Sequence, residues 1–147
     1  MINLITAKDF MYTTRGGKEE VLSQKVKKAI INTEKICSDG KNLYLHNSGY
    51  FWESLRENTN LRLRQVLFEE AAQAEIDKRI FDKIISDLIV DVRLLIKPDI
   101  LNNPRFIHFQ NGLYDLSSKK FIDKLTPATQ KLKFSYIIDA DFIEAGE

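Results

Sequence analysis

The strongest constraint on the fold is the stretch RFIHFQNGLYDLSSKKFID, residues 105–123, in which two turn signals separate apolar runs. The first signal is Asn111-Gly112, because tight hairpin turns need residues that accept positive φ. The second is the polar run at 117–120. An earlier stretch, residues 42–54, has aromatic runs on both sides of an Asn-Ser-Gly turn. The sequence therefore predicts two short strand-turn-strand units. In the later unit we expect positive φ at both Asn111 and Gly112, and a register that brings Leu113 and Leu116 to the core.

Helical spacing marks the regions before and between these units. From Lys18 to about Lys35 the apolar residues recur every three or four positions, and Glu19 and Glu20 suit the first turn of a helix there. A second helix is expected over about 60–72, because the run at 58–60 offers N-cap residues.

The third predicted helix is the longest and has the widest apolar face. Its stripe consists of Ile76, Ile80, Phe81, Ile84, Ile85, Leu88, Ile89, Val92 and Leu95. The helix is expected to end near Lys97-Pro98, because proline disfavours helical geometry in the residue before it. Such a wide apolar face predicts the central element of the core.

The predicted strands complete an α+β fold, with a helical core and small antiparallel hairpins. They are Leu43–His46, Tyr50–Trp52, Phe106–Phe109, Leu113–Leu116, Lys120–Ile122 and Phe134–Ile138. A length of 147 residues predicts a single domain over 1–147. Residues 1–17 form a weakly patterned N-terminal segment, and residues 139–147 form an acidic C-terminal exit segment.

Composition narrows the class of protein. Every apolar run is interrupted by a charged residue before it reaches the length of a membrane span, and the N-terminus lacks the pattern of a secretory signal. Cys37 is the one cysteine, so the chain forms no internal disulfide. These features predict a cytoplasmic protein without a membrane partner.

Motifs that carry chemistry are few. The sequence has no phosphate loop, and the Arg-Gly-Gly-Lys run at 15–18 fits a loop between elements better than a phosphate cradle. His46 and His108 have no Cys or His at metal-ligand spacing, and Cys37 has no base beside it. We therefore expect no catalytic residue, no metal site, no cofactor and no enzymatic activity of this chain by itself.

Basic residues are spread along the chain, whereas residues 139–147 carry four acids and no base. These cations form either a phosphate-binding face or a solvated surface with interspersed acids. The candidate nucleic-acid site consists of Lys25, Lys28, Arg62, Arg64 and Trp52. If the first two helices pack beside the aromatic hairpin, the cations face phosphates and a ring, Trp52 or Tyr50, stacks on bases.

The order of motifs resembles the domain that precedes the superfamily-three helicase motor in phage, plasmid and poxvirus primase-helicases. The most specific part is an apolar-x-apolar-x-Asn-Gly-apolar-x-Asp-Leu segment, here Ile107, Phe109, Asn111, Gly112, Leu113, Asp115 and Leu116. Weaker matches are Tyr44, Gly49 and Trp52 upstream, and Thr126, Pro127 and Phe134–Ile138 downstream. The likeness spans about residues 36–142. The ATPase and primase domains of that family have no counterpart in this chain, which departs from the family pattern.

The resemblance implies a non-catalytic accessory and assembly domain for mobile-element DNA replication. Its expected partners are single-stranded or forked DNA, helicase or primase domains or subunits, and further copies of the chain in a homo-oligomer. The alternative is a free-standing, truncated mobile-element protein that binds a replication or host protein.

Overall fold

The computed structural model describes residues 4–97, 99–123, 129 and 131–143. Within this part of the chain it has α1 (Ser23–Asn32), α2 (Thr59–Leu67), α3 (Glu70–Gln73) and α4 (Lys78–Ile89). The strands are β1 (Met11–Thr13), β2 (Glu19–Val21), β3 (Ile36–Ser38), β4 (Leu43–Ser48), β5 (Phe51–Leu55), β6 (Phe106–Phe109), β7 (Gly112–Asp115) and β8 (Lys120–Ile122). The strands form three small antiparallel sheets, in the orders β1-β2, β3-β4-β5 and β6-β7-β8. The predicted α+β class is confirmed.

The chain divides into two compact units. Met1–Leu45 and Ser54–Leu95 form the first unit, whereas His46–Glu53 and Ile96–Glu147 form the second. The single domain predicted from the length stays a prediction. No helix among the described residues is long and apolar enough to cross a membrane.

The first predicted helix begins later than its periodicity indicated. Glu19 and Glu20, expected in a first helical turn, lie in β2, which pairs with β1. The Tyr12 hydroxyl donates to Glu20 Oε2 at 2.8 Å, and this raises the pKa of Tyr12. The Arg-Gly-Gly-Lys run is the turn of this hairpin, as a loop between elements, and Gly17 has a φ of 81° there. The N-terminal segment thus contains a strand that its weak pattern did not reveal.

The second predicted helix is split in two. α2 ends at Leu67 because Phe68 is extended and bridges Ile5 as in a parallel sheet. The Ile5 amide donates to Leu67 O at 2.7 Å, and the Glu69 amide donates to Ile5 O at 2.9 Å. Asn58 precedes α2 in a left-handed conformation, and its side chain makes no capping hydrogen bond. The expected side-chain N-cap is therefore wrong.

The longest helix, α4, supplies the centre of the first unit's core, as predicted. The side chains of Phe81, Ile84, Ile85 and Leu88 are buried there, with Val26 and Ile30 of α1 and Leu63 and Leu67 of α2.

The expected end of α4 near Lys97 is wrong, because the helix ends at Ile89 and the chain turns toward β3. The Ser38 hydroxyl donates to Ile89 O, and the Ser38 amide donates to Leu94 O at 2.9 Å. In a continuing helix, Leu94 O would accept a hydrogen bond from an amide of the same helix and would not be available to Ser38. Val92 and Leu95, assigned to the apolar stripe, are exposed, while Pro98 lies outside the described residues.

The second unit is built on the meander β6-β7-β8. β6 and β8 have the predicted bounds, whereas β7 lies one residue earlier than predicted, at Gly112–Asp115. Phe109 pairs with Gly112, so the turn consists of Gln110 and Asn111. Only Gly112 of the Asn-Gly pair has a positive φ, 151°. The expectation of two positive φ values is therefore wrong.

The expected last strand, Phe134–Ile138, is replaced by isolated bridges. Phe134 bridges Phe51 and Ile138 bridges Phe109, both in parallel orientation. The Trp52 amide donates to Phe134 O at 2.7 Å, and the Ile138 amide donates to His108 O at 2.9 Å. The segment is thus paired to two different strands, and neither pairing is long enough to form a ladder. The predicted turn at 126–127 lies outside the described residues.

Candidate nucleic-acid interface

α1 presents two of the predicted cations to solvent. Lys25 and Lys28 are both exposed and lie three residues apart on α1, so they are neighbours on its surface. Lys27 lies between them in sequence, but its Nζ pairs with Asp87 Oδ2 at 2.8 Å and its side chain is only 17% exposed. Lys25 and Lys28 are therefore accessible from solvent, whereas Lys27 joins α1 to α4.

Arg64 has a structural role inside the first unit. Its Nε donates to Asn60 Oδ1 at 2.5 Å, a second guanidinium nitrogen donates to Gln73 O, and the guanidinium lies 4.6 Å from the centre of the Phe81 ring. Burial lowers the pKa of Arg64, while Asp82 and Asp77 act in the opposite direction. The side chain thus links α2, the end of α3 and α4.

Arg62 lies one position from a fully buried leucine of α2. Its side chain is half-buried, and its amide donates to Asn58 O at 2.8 Å in the first turn of the helix. Of the four predicted cations, only Lys25 and Lys28 are therefore classed as exposed.

Trp52 belongs to the second unit and is buried, with 8% of its surface exposed. Lys133 Nζ lies 4.9 Å from the centre of its ring, and the His46 ring centre lies 5.0 Å away. Tyr50, the other ring considered for stacking, is half-buried and its hydroxyl lies 3.0 Å from Thr129 Oγ1. These rings serve the packing of the second unit, and the structure describes no stacking surface formed by them.

Sequence reasoning missed the ion pair of the Asn-Gly motif. Arg105 binds the Asp115 carboxylate with two hydrogen bonds, of 2.9 and 2.8 Å, and the Ser117 amide donates to Asp115 Oδ1 at 2.9 Å. The hydrogen bond from Arg105 holds the pKa of Asp115 well below its usual range. An aspartate followed by two serines is a turn signal that favours such an acceptor.

The burial of this motif differs from the prediction in one respect. Leu113 is fully buried as expected, but Leu116 is 47% exposed and the buried side chain on that side is Asp115. Strand alternation places 113 and 115 on the same face, so Leu116 follows the strand and turns outward.

Both histidines belong to the second unit. His108 is buried in β6, and its Nδ1 lies 2.8 Å from Tyr136 O. Burial lowers the pKa of His108, and the hydrogen bond to Tyr136 opposes that change. Over the described ranges, no three His, Cys, Asp or Glu side chains gather as a metal ion would require.

The fold and these side chains define an α+β protein with two exposed cations on one helix and a tightly bonded three-stranded meander. A scan against protein-family models found no family that matches the chain. A search of curated proteins likewise found no significant match.

Proposed function

We propose that this chain is a non-catalytic accessory and assembly domain of a mobile-element primase-helicase, and that it supports oligomerisation and DNA handling in the cytoplasm. The observation that carries the proposal is the use of the Asn-Gly motif. Its glycine and aspartate have structural roles in the meander, as expected of a domain whose defining motif maintains a fold and does no chemistry.

Gly112 supports this interpretation because its surroundings leave no room for a side chain. A Cβ at this position would lie 2.3 Å from Ile122 O and 2.8 Å from an atom of the Phe121 ring. Asp115 also supports it, because its carboxylate accepts hydrogen bonds from Arg105 and from two backbone amides of the following turn. Gly112 and Asp115 are thus both explained by the meander, in agreement with the resemblance.

DNA handling is assigned to α1. Lys25 and Lys28 are exposed and lie in a first unit that also exposes Lys8 and Arg15. Two adjacent cations bind a single strand only weakly, since affinity comes from the number of phosphates neutralised. Useful affinity therefore requires several copies of the chain in one assembly, which links DNA handling to oligomerisation.

The test is binding of a fluorescent single-stranded oligonucleotide to the full chain over a salt series. We expect weak binding that decreases steeply with salt, and loss of most of it in Lys25→Glu/Lys28→Glu. The matched control is Lys120→Glu/Lys131→Glu, which changes the net charge equally at two exposed lysines of the second unit. The control should retain binding.

Arg62 and Arg64 are left unchanged in this test. Arg64→Glu would remove an intramolecular anchor of α2, so a loss of binding in that variant could come from altered structure. No binding at low salt, or equal loss in the control pair, contradicts the assignment to α1. The oligomeric state, from light scattering, checks the assembly role independently, and ATP turnover should not exceed that of a mock-purified sample.

The second candidate function is binding of a replication or host protein by a free-standing chain. It is favoured by apolar side chains after α4: Val90 is 64% exposed and Val92 is 81% exposed. Neighbouring exposed apolar residues are typical of protein-binding surfaces. A chain that binds no DNA and remains monomeric at high concentration favours this candidate.

A further inference from the structure

The meander has a second face, and Phe142 lies against it. One ring from each strand contacts the Phe142 ring: Phe121 is stacked on it at 4.9 Å with planes 14° apart, Tyr114 lies at 5.0 Å and Phe109 at 5.5 Å. These three rings are half-buried, whereas Leu113 and His108 on the opposite face are buried. Strand alternation produces the two faces.

The side chain of Asn111 makes two hydrogen bonds to the backbone of Phe142. Its Oδ1 accepts a hydrogen bond from the Phe142 amide at 2.8 Å, and its Nδ2 donates to Phe142 O at 3.1 Å. One side chain thus satisfies both backbone groups of one residue, as a neighbouring strand does in a sheet.

The backbone contacts extend back along the same segment. The Gln110 amide donates to Ala140 O at 3.2 Å, and the Ile138 amide donates to His108 O at 2.9 Å. Residues 138–142 are therefore bound through their main chain and through two side chains, because Gln110 Nε2 donates to Asp139 Oδ1 at 2.5 Å and three rings pack on Phe142. Main-chain hydrogen bonds with a pocket for one side chain are the usual means by which an extended peptide is recognised.

We propose that Phe109, Asn111, Tyr114 and Phe121 form a peptide-docking site, the phenylalanine cradle. Its ligand is a peptide segment that bends at Asp139 and Ala140 and then presents a phenylalanine, and its occupant in this structure is the chain's own segment 138–142. Asn111 is exposed and Phe142 is half-buried, so water competes for these contacts and the segment can leave. The cradle gives the asparagine of the Asn-Gly motif a role that the turn does not require of it.

The first test measures amide hydrogen exchange of Phe142 in the full chain by NMR. We expect a protected Phe142 amide in the wild type, and exchange faster by roughly fivefold to tenfold in Asn111→Ala. Asn111→Asp retains the acceptor but loses the donor, so its Phe142 amide should exchange at an intermediate rate. The Leu113 amide serves as an internal control for the meander. An unprotected Phe142 amide in the wild type, or unchanged exchange in Asn111→Ala, overturns the proposal.

The second test removes the Phe142 ring from the cradle and leaves the turn at Gln110 and Asn111 unchanged. The full-length Phe142→Ala chain is titrated with a labelled peptide of residues 138–143, Ile-Asp-Ala-Asp-Phe-Ile, up to about 1 mM, because the tethered segment has an effective concentration in that range. We expect saturable binding to this variant, and binding at least roughly tenfold weaker to the wild type, whose own segment competes. A peptide with alanine in place of phenylalanine, and the Asn111→Ala/Phe142→Ala chain, should bind poorly. Absence of saturable binding, or equal binding of the two peptides, contradicts the cradle.

Discussion

Gly112 and Asp115 act in different ways within the same motif. Gly112 is required because the backbone of the next strand occupies the space of a side chain. Asp115 is required because Arg105 and the following turn need an acceptor. His108 lies on the same face of the meander as Asp115 and is buried there.

Gly112→Ala is expected to destabilise the chain by about 2–3 kcal/mol, because its Cβ overlaps the Ile122 carbonyl and the strands must move apart. Gly112→Val adds further methyl groups and should be worse. Gly49→Ala is the matched control: Gly49 also has a positive φ, 52°, but nothing lies within 4 Å of an added Cβ. It should cost only about 1 kcal/mol of conformational strain. Equal changes in the free energy of unfolding would show that the contact with Ile122 is not decisive.

The second unit should lose stability as pH falls. The pKa of His108 is below its ordinary value in the folded chain, so the unfolded chain binds the proton first. His108 therefore contributes its full stability above about pH 6.5, and this is lost as pH falls below that value and through the lowered pKa of the folded chain. We expect the melting temperature reported by Trp52 fluorescence to drop by a few degrees between about pH 7.5 and 5.5.

His108→Gln removes the titrating group and should weaken this pH dependence. His46→Gln is the matched substitution at the other histidine. If the His108→Gln chain shows the same dependence as the wild type, another group is responsible.

At the scale of elements, the apolar pattern of α4 continues in the sequence beyond the residue at which the helix ends. Of the stripe that the sequence predicted, the helix buries Phe81, Ile84, Ile85 and Leu88, whereas Ile80 is 38% exposed. The stripe continues in sequence to Leu95, but the backbone leaves the helix after Ile89 to bond with Ser38. Residues of one apparent stripe therefore have opposite environments.

Ile84→Ala and Leu88→Ala should each lower the free energy of unfolding by about 2–5 kcal/mol, because they leave cavities in the core of the first unit. Val92→Ala removes atoms from the same sequence stripe at a site that is 81% exposed, and should cost under about 0.5 kcal/mol. Chemical denaturation measures both. A small loss at Ile84 or Leu88 would mean that this face binds a partner instead of forming the core.

At the scale of the whole molecule, two compact units share one short chain. Strands β4 and β5 each have residues in both units, and the chain passes between the units a third time after Leu95. The only tryptophan, Trp52, belongs to the second unit, and the four α-helices of the described residues belong to the first. Each unit therefore has its own spectroscopic probe.

The single domain predicted from the length implies one cooperative transition in urea. Trp52 fluorescence and far-ultraviolet circular dichroism should give coincident midpoints. Leu88→Ala, which damages only the first unit, should then lower both midpoints together. Separate midpoints, or a Leu88→Ala effect confined to circular dichroism, would show that the two units unfold as separate domains.

Local patterns determined much of this protein. The meander strands, the apolar faces of α1 and α4 and the α+β class follow from periodicity and turn residues, which act over a few positions and do not depend on distant partners. The exposure of Lys25 and Lys28 follows in the same way, because both positions lie off the apolar stripe of α1.

Only the tertiary structure decided the remainder. The end of α4 depends on Ser38, the break after α2 depends on Ile5, and the engagement of Arg64 depends on Phe81 and Gln73. The cradle likewise joins Asn111 to Phe142, 31 residues later. Each of these contacts satisfies a backbone group or a charge with a partner far away in sequence, and no local pattern specifies which distant group will arrive there.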